Sequence, residues 1–159
     1  SGLMLFPKHR QAAAWLSELF KQGEIQKRYL ALVAGEPVEQ HWSADGPIGK
    51  LGSARWGIMP EGRAALTDFR LLAAAGGGAL VEAFPRTGRT HQIRVHLSVA
   101  GLPIVGDATY GGLVAERLML HCVGLQFAGR HGQVCNLEAL PDSSFIARCG
   151  LCWGAVSKV

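Results

Sequence analysis

The chain has 159 residues, 48% of them hydrophobic, and a formal net charge of +4. That is one domain's worth of chain, apolar enough to bury most of its hydrophobic surface, and the composition excludes a disordered polymer. No uncharged apolar run approaches the ~20 residues that a spanning helix needs, so no membrane partner is expected.

Taken in chain order, Gly2 to Phe6 reads as a short apolar strand. Pro7 to Gln22 carries Ala12, Trp15, Leu16, Leu19 and Phe20 at helical spacing and is closed by Gly23. Lys27 to Val33 alternates as a strand does. Glu36 to Gly62 is rich in Gly and Pro and contains Gly46-Pro-Ile-Gly-Lys50, which predicts an ordered loop or a short hairpin pair. Leu66 to Leu72 and Ala79 to Pro85, joined through Gly76-Gly77-Gly78, predict an antiparallel pair. Beyond residue 129 the pattern fades into one further strand and a tail. No internal repeat or linker interrupts the chain, and the expected class is a single-domain α+β fold.

Arg86 to His96, Arg-Thr-Gly-Arg-Thr-His-Gln-Ile-Arg-Val-His, packs cations, hydrogen-bond donors and a glycine into the end of the Ala79–Pro85 strand. Strand ends are where such folds place chemistry. Arg89 and Arg94 stay protonated near neutrality and present planar forks suited to phosphate or carboxylate. A solvated rim is the plainer reading of the same arginines. The period is ambiguous: Ile93, Val95, Leu97 and Val99 alternate as in a strand, yet helical spacing gathers His91, Arg94 and Ser98 on one face and Ile93, Leu97 and Ala100 on another. Thr90 as N-cap and Gly101 as terminator favour the helix.

Four cysteines, Cys122, Cys135, Cys149 and Cys152, lack the paired spacings of a zinc site apart from Cys149-Gly-Leu-Cys152, so reduced thiols and no metal are expected. Free thiols point to a cytoplasmic protein.

Four segments in order, Lys27-Arg-Tyr-Leu-Ala-Leu-Val33, Arg86 to His96, Leu102-Pro-Ile-Val-Gly-Asp-Ala-Thr-Tyr-Gly111 and Leu120-His-Cys122, make residues 1 to about 128 resemble the RluA-type family of RNA pseudouridine synthases. The resemblance implies a mixed, mostly antiparallel bent sheet flanked by helices, with a helix from about Thr90 to Ala100. It implies a cofactor-free isomerase acting as a monomer on ribosomal or transfer RNA. Tyr29 and Arg94 would be catalytic, and Lys27, Arg28, Arg86, Arg89, His91 and Gln92 would bind RNA. The loop before Gly62, with Lys50 and Arg55 as cations, is either an RNA-facing element or a plain connection.

The family's nucleophilic aspartate belongs to a motif resembling H-R-L-D-x-x-T-S-G, of which Ser1-Gly2 and the apolar residues after it match only the end. The aspartate is expected four residues before Ser1, as in a fragment or processed chain of a longer enzyme. Arg94 would pair with it. Asp68 and Asp107 are poor substitutes, the first in a strand and the second capping a turn. A second function class is an RNA-binding module without activity on the same scaffold. Tyr29 could equally be core packing, and Gln92, His96 and His121 could simply satisfy buried backbone groups.

Overall fold

A computed structural model describes residues 1–150. Seven strands form one sheet in the order β3-β2-β4-β5-β1-β6-β7. They are β1 (Gln26–Ala34), β2 (His41–Lys50), β3 (Trp56–Ile58), β4 (Arg63–Ala75), β5 (Gly78–Pro85), β6 (Leu120–Ala128) and β7 (Val134–Glu138). Every strand pair is antiparallel. The expected parallel component shrinks to a single bridge between Gly2 and Cys122.

Strand β1 does not alternate as expected: Leu30 to Val33 is buried on both faces, and β5 beside it is buried along most of its length. Strand alternation divides the sheet into two faces. On one, α2 (Gln92–Val99) lays Ile93 and Leu97 into the core that holds Ala31, Val33, Val81 and Ile104. Beside it α1 (Arg10–Gln22) covers Leu125 and Phe127 with Leu19 and Trp15. On the other, α3 (Ser143–Cys149) brings Phe145 against His121, ring centroids 6.1 Å apart.

Helix α1 ends where its sequence says: Gly23 sits in the left-handed region at φ 75° and its N–H returns to Leu19 and Phe20. Gly76 and Gly77 likewise take positive φ in the β4–β5 turn.

Several expectations are corrected. Gly2 to Phe6 forms no strand, because only Gly2 bridges β6 and Met4 and Phe6 turn outward. Of the two readings of Gly46-Pro-Ile-Gly-Lys50, the hairpin holds and the loop does not: the segment is the second half of β2 and pairs with β3 from Ile48 to Lys50. Helix α2 starts at Gln92, with His91 instead of Thr90 at the cap position. The C-terminal part holds a helix as well as the expected strand. Asp142 starts that helix by accepting the N–H of Phe145, a cap legible in Asp142-Ser-Ser-Phe145. Of the cysteine pair, Cys149 is buried, and Cys152 lies outside the described residues.

Candidate active site

A concave pocket of about 260 Å³ opens where β1 and β5 meet the start of α2, lined by Lys27, Tyr29, Thr87, Arg89, His91 and Arg94, with Leu120 of β6 at its edge. Strand β1 delivers Lys27 and Tyr29 from one face, and the turn after Pro85 delivers Thr87 to His91. Among the described residues no carboxylate lines it.

The cations are held in distinct ways. Lys27 donates from Nζ to the Thr87 carbonyl at 3.2 Å. Burial and the nearby Arg89 charge lower its pKa, so it gives up its proton more readily than a free lysine. Arg89 is anchored through Nε on the Ala64 carbonyl at 2.9 Å. Arg94 grips Asp107 with both arms, Nε to Oδ2 and Nη2 to Oδ1 each at 2.7 Å, and its guanidinium lies 4.8 Å from the Tyr110 ring centroid. The hydrogen bonds it donates to Asp107 are the first cause of a raised Arg94 pKa. Arg94 therefore has its anionic partner inside this chain, which corrects the expectation of an unpaired arginine. Asp107 does cap its turn, accepting from the Thr109 and Tyr110 amides at 3.2 Å.

Tyr29 has its pKa raised, by burial first and by the Cys122 thiol next. Cys122 is its cross-strand partner in β6. The phenol is thus held protonated at rest, a stacking face with a proton to give.

Gln92 lines the pocket with its amide already engaged by the protein. It is 4% exposed; its Oε1 accepts from Thr87 Oγ1 and the Arg89 amide, while its Nε2 donates to the Leu66 carbonyl and Thr67 Oγ1. It braces the Thr87–Arg89 turn against β4, and His96 continues the chain through Thr67 at 2.9 Å. The sequence missed Thr67, and nothing in its strand marks it.

Two further residues assigned to RNA lie elsewhere. Arg28 alternates with Lys27 and Tyr29, so it faces the opposite side of the sheet, where it joins buried Glu82 and exposed Glu138 at 3.4 and 3.1 Å. Arg86 pairs with Asp68 at 2.6 Å, and Asp68 points away from the face on which Thr67 meets Gln92. Two wider grooves, of about 790 and 540 Å³, run along that other face around Arg28 and Phe84. The motif-bearing residues from Arg89 to Arg94 line neither.

The β2–β3 hairpin reaches the site indirectly. Tyr110, buried behind α2, accepts the Trp56 amide at 3.0 Å and meets His91 Nδ1 at 2.9 Å, with Arg55 also over its ring. Lys50 ends β2 in solvent and lines no part of the pocket. Among the described residues no group of His, Cys, Asp and Glu is arranged to hold a metal, and no helix is long and apolar enough to cross a membrane.

A pocket that gathers Lys27, Arg89 and Arg94 around Tyr29 at the strand ends of a single antiparallel sheet is suited to an anionic ligand with a flat ring. The family model described as RNA pseudouridylate synthase matches residues 1–99. An uncharacterized RNA pseudouridine synthase of Zymomonas mobilis is 40% identical over 153 residues, 91% of this chain and 70% of that protein. Ribosomal large subunit pseudouridine synthase C of Escherichia coli is 35% identical over 165 residues, 94% of this chain and 51% of that protein. The solved structure of human RNA pseudouridylate synthase domain containing 1 superposes with TM-score 0.72 at 30% identity, over 85% of this chain and 62% of that one. The chain belongs to the RluA-type family of RNA pseudouridine synthases. It spans 70% of the Zymomonas protein and 51% of the Escherichia coli one, and 46% of the uncharacterized RNA pseudouridine synthase YjbO of Bacillus subtilis.

Proposed function

We propose that the protein carrying this chain isomerises a uridine in structured ribosomal or transfer RNA, with Tyr29 and Arg94 in the catalytic pocket. The observation that carries this reading is their convergence, with Lys27 and Arg89, on one concavity. The reaction breaks the N1–C1′ bond of uridine and makes a C5–C1′ bond; C5 loses a proton and N1 gains one, with no change of oxidation state. The target base must first leave its stack, at a cost of a few kcal/mol, and a tyrosine face beside fixed cations offsets that cost.

The nucleophilic carboxylate is assigned to residues preceding Ser1. One placement supports this route: the Ser1 nitrogen lies 3.0 Å from the Leu120 carbonyl, and Leu120 lines the pocket. Arg94, already neutralised by Asp107, keeps one face toward the pocket, from which it would orient that carboxylate and hold it ionised. Lys27 and Arg89 take the flanking phosphates. The test is tritium release from C5-labelled ribosomal and transfer RNA transcripts. Residues 1–159 preceded by a segment ending in Asp-x-x-Thr should turn over, and residues 1–159 alone should not. Silence from both with RNA still bound would favour an RNA-binding module without activity.

A further inference from the structure

His91 is the one residue other than glycine, among those described, with a positive φ, at 58°. A left-handed backbone is costly for a residue with a Cβ, and such strain gathers at working sites. Capping does not account for it, because the His91 side chain makes no hydrogen bond to the helix it precedes.

What the strained backbone achieves is the placement of the ring. Nδ1 lies 2.9 Å from the Tyr110 hydroxyl, and the same hydroxyl receives the Trp56 amide at 3.0 Å. An amide can only donate, so the hydroxyl accepts from Trp56 and has one proton to give. With Tyr110 5% exposed, His91 Nδ1 is the acceptor at hand. The opposite tautomer would leave that buried hydroxyl proton without a partner. Nδ1 as acceptor puts the imidazole proton on Nε2. Among the described residues Nε2 has no partner, and His91 lines the pocket with its other ring nitrogen turned away to Tyr110.

We propose that His91 determines specificity by donating a hydrogen bond from Nε2–H, a tautomer fixed by Tyr110, to a carbonyl oxygen of the pyrimidine held in the pocket. This rests on the pocket accepting RNA. A neutral donor matches a neutral carbonyl, whereas the phosphates have Lys27 and Arg89. Burial and the neighbouring Arg94 charge, against a smaller opposing pull from Asp107, lower the His91 pKa and so favour the neutral ring. Asp107 and Arg55, the other charges near Tyr110, are engaged with Arg94 and with the tyrosine ring respectively.

Long-range proton–nitrogen NMR of the imidazoles at pH 7 reads the tautomer directly, without RNA. The protonated nitrogen of His91 should be Nε2, and Tyr110→Phe should bring in the Nδ1–H form; an Nδ1–H ring in the unaltered protein overturns the proposal. Binding is then measured with single-stranded decauridine, whose bases need no unstacking. His91→Ala should weaken it roughly two- to tenfold, the worth of one hydrogen bond, with the salt dependence unchanged. His91→Gln, which keeps a donor near the ε position, should restore most of the loss. His91→Asn, which suits the left-handed backbone better but is too short, should not. Rescue by Asn alone would make the position a matter of backbone strain, and a flattened salt slope would make His91 a phosphate ligand; either result overturns the proposal. Absence of decauridine binding by the unaltered protein would overturn the RNA reading of the pocket, and this proposal with it, even if the NMR tautomer is as stated.

Discussion

Arg94 and Asp107 form a two-pronged ion pair, both contacts 2.7 Å, in which the aspartate side chain is fully buried and the arginine side chain 17% exposed. The pair ties α2 to the turn that begins with Gly106, and it puts a permanent positive charge at the pocket wall without leaving that charge uncompensated.

Arg94→Met should therefore destabilise the fold, by about 3 kcal/mol, because it strands the Asp107 carboxylate in the interior. Asp107→Asn should cost less, since an amide oxygen can still accept from the Thr109 and Tyr110 amides. Urea titration of the two variants checks the order. Equal stability of Arg94→Met and the unaltered protein would contradict the pairing.

RNA binding should separate the arginines. Arg89→Ala should lower affinity and flatten the salt dependence by roughly one unit, as loss of one phosphate contact does. Arg86→Ala should leave the slope unchanged, because that side chain is engaged by Asp68 on the other face. Filter binding at several salt concentrations measures both, and a reversed pattern would place the RNA on the face that carries Arg28 and Arg86.

Helix α3 should respond to acid. The Ser144 hydroxyl and Phe145 amide bonds, with Arg117, lower the Asp142 pKa to about 2. An unfolded aspartate titrates near 3.9. A depressed folded pKa gives a contribution that is complete above the unfolded value and is lost as pH falls from about 4 through about 2. The Phe145 amide resonance should titrate in that window, and in Asp142→Asn it should not. A flat response in the unaltered protein would remove Asp142 as the cap.

How much of this was legible in the sequence depends on range. The helix α1, the strands β1, β4 and β5, and their glycine turns follow from local pattern and the special freedom of Gly23, Gly76 and Gly77. The convergence of Lys27, Tyr29, Arg89 and Arg94 on one pocket was legible only through the resemblance to the RluA-type family, since by pattern alone Tyr29 reads as core packing. Side and partner were not. Arg28 and Arg86 look interchangeable with Lys27 and Arg89 as cations, yet strand alternation and the acids Glu82 and Asp68 hold them on the opposite face. The partner of Arg94 sits 13 residues away in a turn whose closure onto α2 is a tertiary event. The brace from Gln92 through Thr67 to His96 crosses between a helix and β4, and no spacing within either reveals it.

The central claim is that the Tyr29 and Arg94 pocket isomerises uridine. It is tested most directly by Tyr29→Phe in protein extended to include the Asp-x-x-Thr segment, with tritium release and RNA affinity measured on the same transcript. Phenylalanine preserves the stacking face and removes only the hydroxyl, so affinity should stay within about threefold while release falls by at least the ~100-fold typical of a lost acid–base group. Release at the unaltered rate with affinity intact would contradict the account and move the chemistry out of this pocket.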